Sequence, residues 1–124
     1  MNFYYPSPSK LLGALMCILL MSGCATKPSL YAWGSYEEQV YARFKATSSP
    51  EQQIQAMEKD LQTQVGKKPL PPGFHAHLGL LYGEAGRSGD MREQFLLEKQ
   101  YFPESTKFMD FLLAKMDKAQ GAKP

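Results

Sequence analysis

His75 and His77 are the only imidazoles in the chain. Imidazole is the commonest metal ligand and general base near neutral pH. Their spacing works against a shared ion, because residues two apart on a helix do not face each other. No acid or cysteine stands beside them at a metal-ligand spacing, so a packed or solvated role is expected for both, with no metal and no cofactor. Glu37 with Glu38, and Glu58 with Asp60, have the residue types for acid–base work, but acids on a helix surface are usually just solvated. The run Gly83-Glu-Ala-Gly-Arg-Ser-Gly89 follows a helical stretch rather than a strand. It reads as an inter-helix turn, not as a phosphate cradle. No nucleophile elbow, phosphate loop or zinc-hydrolase motif is present in the sequence. The expectation is a protein that is not an enzyme, with no catalytic residues and no small-molecule substrate.

The cysteines point to a different chemistry. Leu11 to Met21 forms an apolar run of 11 residues, short of the roughly 20 that a membrane-crossing helix needs. It has the length of the apolar core of a secretory signal peptide, with Lys10 supplying a thin positive flank. Met21-Ser22-Gly23-Cys24 follows, and it resembles the bacterial lipobox with Met in place of the commoner Leu. By that resemblance a lipoprotein signal peptidase cuts before Cys24, which then carries a diacylglyceryl group on sulfur and an acyl chain on its new amino end. Two or more chains anchor a protein stably. Ala25, in place of Asp, points to the outer membrane, and a periplasm-facing, lipid-anchored location is expected.

Cleavage there removes 23 of 124 residues and leaves 101, the size of one small domain. Cys17 leaves with the signal and Cys24 is consumed by lipid, so the core must hold by packing without a disulfide. Loss of Lys10 leaves 13 basic against 12 acidic residues. That balance excludes the basic stripe of a nucleic-acid binder.

The elements that position these residues read as helices. Residues 24–33 are expected to be a lipidated tether, 34–119 a helical domain and 120–124 a flexible tail. Ser35 and Glu38 fit a capping box opening a first helix over about 36–46, with Tyr36, Val40 and Phe44 on one stripe and Tyr41 beside them. Ser49, Pro50 and Gln52 open a second helix with the stripe Ile54, Met57, Leu61 and Val65, stopped at Gly66. Lys67 to Gly73 is a proline-rich loop. The third helix runs from Phe74 to about Ala85 and ends at Gly86. Asp90 is expected to cap the fourth, which yields near Pro103. Ser105 is expected to cap a fifth bearing Phe108, Phe111, Leu112 and Met116. No alternating β-branched run argues for a strand.

Leu78-Gly79-Leu80-Leu81-Tyr82 matches the core of the tetratricopeptide pattern. Phe95 and Pro103 stand where that pattern has its second-helix Phe and closing Pro. His75 replaces the opening Trp, and Met91 replaces the small Ala at which the two helices meet. Gly79 is expected to let the partner helix approach, with Tyr82 and Phe95 filling the space beside it. The fold expected is all-α: about five helices in TPR-like antiparallel pairs with a C-terminal capping helix. Tyr31, Trp33, Tyr36 and Tyr41 crowd the segment nearest the lipid, either as a first core layer or as an exposed aromatic surface.

The segments YAWGSYEEQVY, SPEQQIQAMEKDL and PPGFHAHLGLLYGEAGR…FPES, after a lipobox, resemble a family of small proteobacterial lipoproteins of unknown function. In that family the genes often lie beside those of a curli-pore-like lipoprotein and another small lipoprotein. The resemblance implies membership of an envelope lipoprotein complex and supplies no catalytic residues. The expected function is a non-enzymatic helical adaptor, held to the membrane through lipid on Cys24 and contacting another envelope lipoprotein, with Tyr36, Tyr82 and Arg87 on the partner surface. The alternative is an envelope-structure protein that binds peptidoglycan or lipid directly.

Overall fold

The computed structural model describes residues 1, 7–9, 28–64 and 66–121. Lys10, Cys17, the lipobox-like stretch expected at Met21 to Cys24, the stripe residue Val65 and the last three residues of the tail lie outside the described residues. Those described form five α-helices and no strand: α1 (Tyr36–Lys45), α2 (Pro50–Gln64), α3 (Phe74–Glu84), α4 (Ser88–Tyr101) and α5 (Thr106–Gly121), with a 3-10 turn at Pro103–Ser105. The fold is all-α. No helix among the described residues is long and apolar enough to cross a membrane.

Local chemistry sets most of the boundaries. At α2 the expected capping box is present in both directions: Gln52 N–H donates to Ser49 Oγ at 3.3 Å, and Ser49 N–H donates to Gln52 Oε1 at 3.1 Å. Gly66 follows with φ +76, and Gly86 follows α3 with φ +74; both glycines end their helices in the left-handed region that side chains avoid. The start of α4 differs from expectation. It begins at Ser88, two residues before Asp90, because Arg87 N–H closes the preceding turn onto Tyr82 O at 2.8 Å and Arg87 O already accepts from Met91 N–H at 3.0 Å. Asp90 instead pairs with Arg87 at 2.6 Å. Ser105 does not cap α5; its hydroxyl donates back to Phe102 O at 2.7 Å within the 3-10 turn.

Two of the expected apolar stripes are rotated. On α1 the buried positions are Gln39 and Ala42, while Tyr41 and Phe44 are 62% and 86% exposed. On α5 the buried positions are Met109, Leu113 and Met116, while Phe108 and Phe111 are 58% and 51% exposed. Both helices end the helical stack, so one face of each has no neighbouring helix to bury it.

Packing arranges the helices in two layers. Ser35, at the start of α1, meets Asp60 near the end of α2, and Gly73, before α3, meets Glu98 near the end of α4. Each pair is therefore antiparallel. Tyr36 packs on Phe74 with ring centroids 5.7 Å apart, and Arg43 pairs with Glu84, so α1 and α3 run parallel, side by side. On the other flank of α3, Ala76 and Leu80 pack against the cluster Phe95, Met109, Leu113 and Met116. Lys99–Asp110 and Arg92–Asp117 pairs tie α4 to α5. Thus α1, α3 and α5 form one layer, with α2 and α4 behind it. A second core cluster, Ile54, Met57, Phe74, Leu78, Leu81 and Tyr82, joins α2 to α3, and Met91 touches both clusters. Each such side chain contributes about 1.5–3 kcal/mol on full burial.

The α3–α4 hairpin is the tightest contact. A Cβ on Gly79 would lie 2.7 Å from Phe95 Cε1 and 2.8 Å from Cδ1, so the absent side chain is what admits the Phe95 ring. One turn on, Gly83 faces Met91, whose sulfur would stand 2.8 Å from an added Cβ. The bulk of Met91, out of place in the repeat pattern, is thus accommodated by a second glycine opposite it.

Candidate functional site

The chain from Ser29 to Trp33, expected to be tether, is seated on the domain. Ala32 is buried and its N–H donates to Pro69 O at 2.8 Å. Lys68 Nζ donates to Ser29 O at 3.0 Å, and the Trp33 indole N–H donates to Ser29 Oγ at 3.0 Å. Tyr31 meets Trp33 edge to face at 6.5 Å and Phe102 at 6.3 Å, while Trp33 stacks on Tyr36 at 6.2 Å. Of the four aromatics flagged by the sequence, three form this seam. Tyr41 stands apart, with Lys45 Nζ 5.7 Å from its ring.

Beside this seam lies an open recess of about 470 Å³. Leu61 and Leu70 form one wall, Leu97 and Phe102 the other, and Tyr31 a rim; Lys68, His75 and Tyr101 bring polar atoms to it. The recess exists because α2 stops at Gly66 and the loop holding Pro69, Pro71 and Pro72 cannot continue a helix. The loop crosses to α3 and leaves the ends of α2 and α4 unfilled. Its volume falls within the range of about 300–1,000 Å³ typical of small-ligand sites, which pair apolar walls with a few polar groups.

The histidines diverge, as their spacing requires. His75 points to α4, its Nδ1 hydrogen-bonded to Gln94 Oε1 at 2.7 Å. Its ring stacks on Tyr101 at 5.5 Å with 18° between planes. His77 points to α1, packed edge-on to Tyr36 at 5.9 Å. Its Nε2 is buried with no hydrogen-bond partner. Burial, reinforced by the nearby Arg43 cation, pushes its pKa down to about 4, so His77 is neutral at pH 7. No group of three or more His, Cys, Asp or Glu among the described residues is arranged to hold a metal ion.

The three residues expected on a partner surface do not lie together: Tyr36 sits at one end of α3, Tyr82 and Arg87 at the other. Tyr36 is half-buried against Phe74 and Trp33 at the start of α3. Tyr82 lies at the other end of α3 and is 5% exposed, because its ring belongs to the core and its hydroxyl donates to Glu58 Oε1 at 2.7 Å. Burial and that hydrogen bond raise its pKa above the ordinary value. Arg87 covers the same ring at 4.3 Å and reaches Glu58 at 3.5 Å. Tyr82 is therefore held in the core against α2, while Arg87 lies exposed over it.

The carboxylates have structural duties that the sequence reading missed. Asp60 Oδ2 accepts from both Ser35 N–H and Ser35 Oγ at 2.7 Å, which is why Ser35 makes no capping box with Glu38. Glu98, 2% exposed, accepts from Gly73 N–H at 2.8 Å and Ala76 N–H at 3.2 Å. Each carboxylate caps the amino end of the preceding helix from the far end of its partner, where the positive end of the helix dipole favours it. Both caps span 25 residues. An offset of 38 residues carries Ser35 and Asp60 onto Gly73 and Glu98, so the two helix pairs are equivalent units.

The comparison with family models identifies the domain. The chain belongs to the family of the Domain of unknown function (DUF4810), whose model matches residues 30–112. Neither the curated proteins nor the solved structures contain a match to this chain. The DUF4810 span starts at Leu30, inside the seated segment, and includes both carboxylate caps and every wall of the recess. The aromatic seam is thus part of the family domain rather than a linker to it.

Proposed function

We propose that this DUF4810 domain is a non-enzymatic adaptor, anchored to the periplasmic face of the outer membrane through lipid on Cys24. The recess beside Tyr31 receives an apolar side chain or short segment of another envelope protein. The observation that carries the reading is the recess itself: preformed, apolar-walled, rimmed by Lys68 and Tyr101, and built against the chain segment that leads from Cys24. The resemblance to small envelope lipoproteins names the kind of partner, another lipoprotein such as a curli-pore-like one.

The test is cross-linked affinity purification of the C-terminally tagged protein from native envelopes. A stoichiometric lipoprotein partner is expected. Leu97→Glu places a carboxylate in the recess wall and is expected to abolish its capture, while the surface change Lys107→Ala leaves it intact. Retained capture by a folded Leu97→Glu protein refutes the recess as the docking site. Cys24→Ser tests the anchor separately: loss of acylation and of outer-membrane fractionation is expected, and continued fractionation there means that protein contacts set the location.

One observation favours a second reading. Leu30 is largely exposed and Trp33 partly so, next to the proposed anchor, and Trp is favoured at membrane interfaces. Direct binding to lipid or cell wall predicts that the unlipidated protein sediments with liposomes or sacculi.

A further inference from the structure

The two end helices of the stack carry matching exposed faces. On α1 the exposed face runs through Glu37, Glu38, Tyr41, Phe44 and Lys45. On α5 it runs through Phe108, Phe111, Lys115 and Lys118. Phe108 and Phe111 stack at 6.5 Å, and Lys115 lies 4.6 Å from the Phe111 ring. Aromatic residues beside one another on an exposed helix face are the composition of an interface centre. The acids of α5 are already engaged, Asp110 with Lys99 and Asp117 with Arg92, so its outward face is basic. The outward face of α1 is acidic at its amino end, where Glu37 and Glu38 carry no ion pair among the described residues.

We propose that these two faces dock on each other between copies of this chain, head to tail, with α1 of one copy antiparallel to α5 of the next. The charges choose the direction. Antiparallel packing sets Glu37 and Glu38 against Lys115 and Lys118, Tyr41 against Phe111, Phe44 against Phe108, and Lys45 toward the exposed Glu104. Parallel packing would bring Lys45 against Lys115. The α1 and α5 faces lie at opposite ends of one layer, on either side of α3, so a single pair of copies cannot satisfy both contacts at once. Such a heterologous interface propagates into a ring or an open row. This surface is distinct from the recess, so the assembly stands or falls apart from the adaptor reading.

The test is sedimentation velocity of the purified full chain in mild detergent across a concentration series, for wild type, Phe44→Glu and Phe108→Glu. Both side chains are exposed, so neither change disturbs the core, and circular dichroism checks that each variant is folded. Wild type is expected to form species beyond the dimer as concentration rises. Each variant alone is expected to be monomeric, with self-affinity lowered by about tenfold or more, as for loss of an interface anchor. An equal mixture is expected to recover a dimer and nothing larger, because each variant keeps the face that the other lacks. A monomeric wild type overturns the proposal. Association that survives in both variants places the contact elsewhere, residues 1–27 included, and overturns it as well. Dimers of Phe108→Glu alone would mean a symmetric α1–α1 contact, which also overturns it.

Discussion

Glu98 offers the sharpest test of how the domain is held together. Its side chain is withdrawn from water, and its two oxygens take the Gly73 and Ala76 N–H groups that open α3. A hydrogen bond to a charged group contributes about 1.5–3 kcal/mol, and a carboxylate at a helix amino end about 0.3–1 kcal/mol more. Removing the carboxylate also relieves its own desolvation cost, and water can partly replace it. The net loss for Glu98→Ala is therefore about 2–4 kcal/mol, a large part of the 5–15 kcal/mol that holds a typical domain. For a domain of this size that lowers Tm by about 10–25 °C. Glu98→Gln keeps the shape and one acceptor but turns an amide NH₂ toward a backbone donor, so about 1–2 kcal/mol is lost. Urea unfolding of the unlipidated protein, with the exposed Glu93→Ala on the same helix as control, measures each difference. If Glu98→Gln matches wild type, the cap acts through shape alone; if Glu98→Ala costs no more than Glu93→Ala, it contributes nothing; either result refutes the electrostatic reasoning.

The other predictions use the same unfolding assay. Asp60→Ala removes the equivalent cap from α1, but Asp60 is only half-buried, so a smaller loss of about 1–2 kcal/mol is expected; a larger loss than for Glu98→Ala would reverse the ranking argued from burial. Gly79→Ala gains about 1 kcal/mol of helix propensity yet drives its Cβ into the rigid, fully buried Phe95 ring, so a net loss of about 1–2 kcal/mol is expected. Gly83→Ala meets only the flexible Met91 thioether and should be neutral or mildly stabilising; equal effects at the two glycines would refute the distinction. His77 is held neutral, with its folded pKa near 4 against an ordinary 6.5, so the unfolded chain binds the extra proton between these values. Stability is then complete above pH 6.5 and falls as pH drops toward 4, with a slope approaching about 1.4 kcal/mol per pH unit. His77→Gln should flatten that slope, and an unchanged profile would assign it to other groups.

The sequence exposed those features that local chemistry decides. The Ser49–Gln52 box, the glycine stops and the Gly79–Phe95 contact each depend on a few neighbouring residues or on one packing rule, and each stands in the structure where the residues placed it. The stripes on α1 and α5 were misread because amphipathic spacing marks an apolar face without saying whether another element covers it. Tyr41, Phe44, Phe108 and Phe111 satisfied the helical period yet face outward, while Gln39 took a buried place that hydropathy alone would not assign. The carboxylate caps were missed for a different reason. Asp60 and Glu98 act on backbone N–H groups 25 residues upstream, and no local pattern announces a cap supplied by a partner helix. The signal that could have revealed them is the 38-residue offset itself, which sets the acid of each pair at the same distance behind the start of its first helix.

That repeated cap bears on what the recess can do. Glu98 ties the start of α3 to the end of α4, and His75, in the same first turn of α3, is held to α4 by Gln94 and by stacking on Tyr101. One wall of the recess is therefore fixed by contacts that do not involve an occupant. The other wall depends on the loop after Gly66 and on the seated segment, joined through Ala32 to Pro69 and Lys68 to Ser29. Lys68 is exposed, and an exposed contact of this kind contributes little. The partner proposed for the recess would meet one rigid wall and one that can yield. Because the yielding wall is continuous with the chain toward Cys24, occupancy of the recess and the seating of that segment must affect each other. Lys68→Ala should then leave global stability nearly unchanged, while hydrogen exchange at the Ala32 amide quickens in the free protein and slows again when the partner binds. An Ala32 amide indifferent to the proposed partner would mean that the seam and the recess act independently, and that the seated segment has no part in recognition.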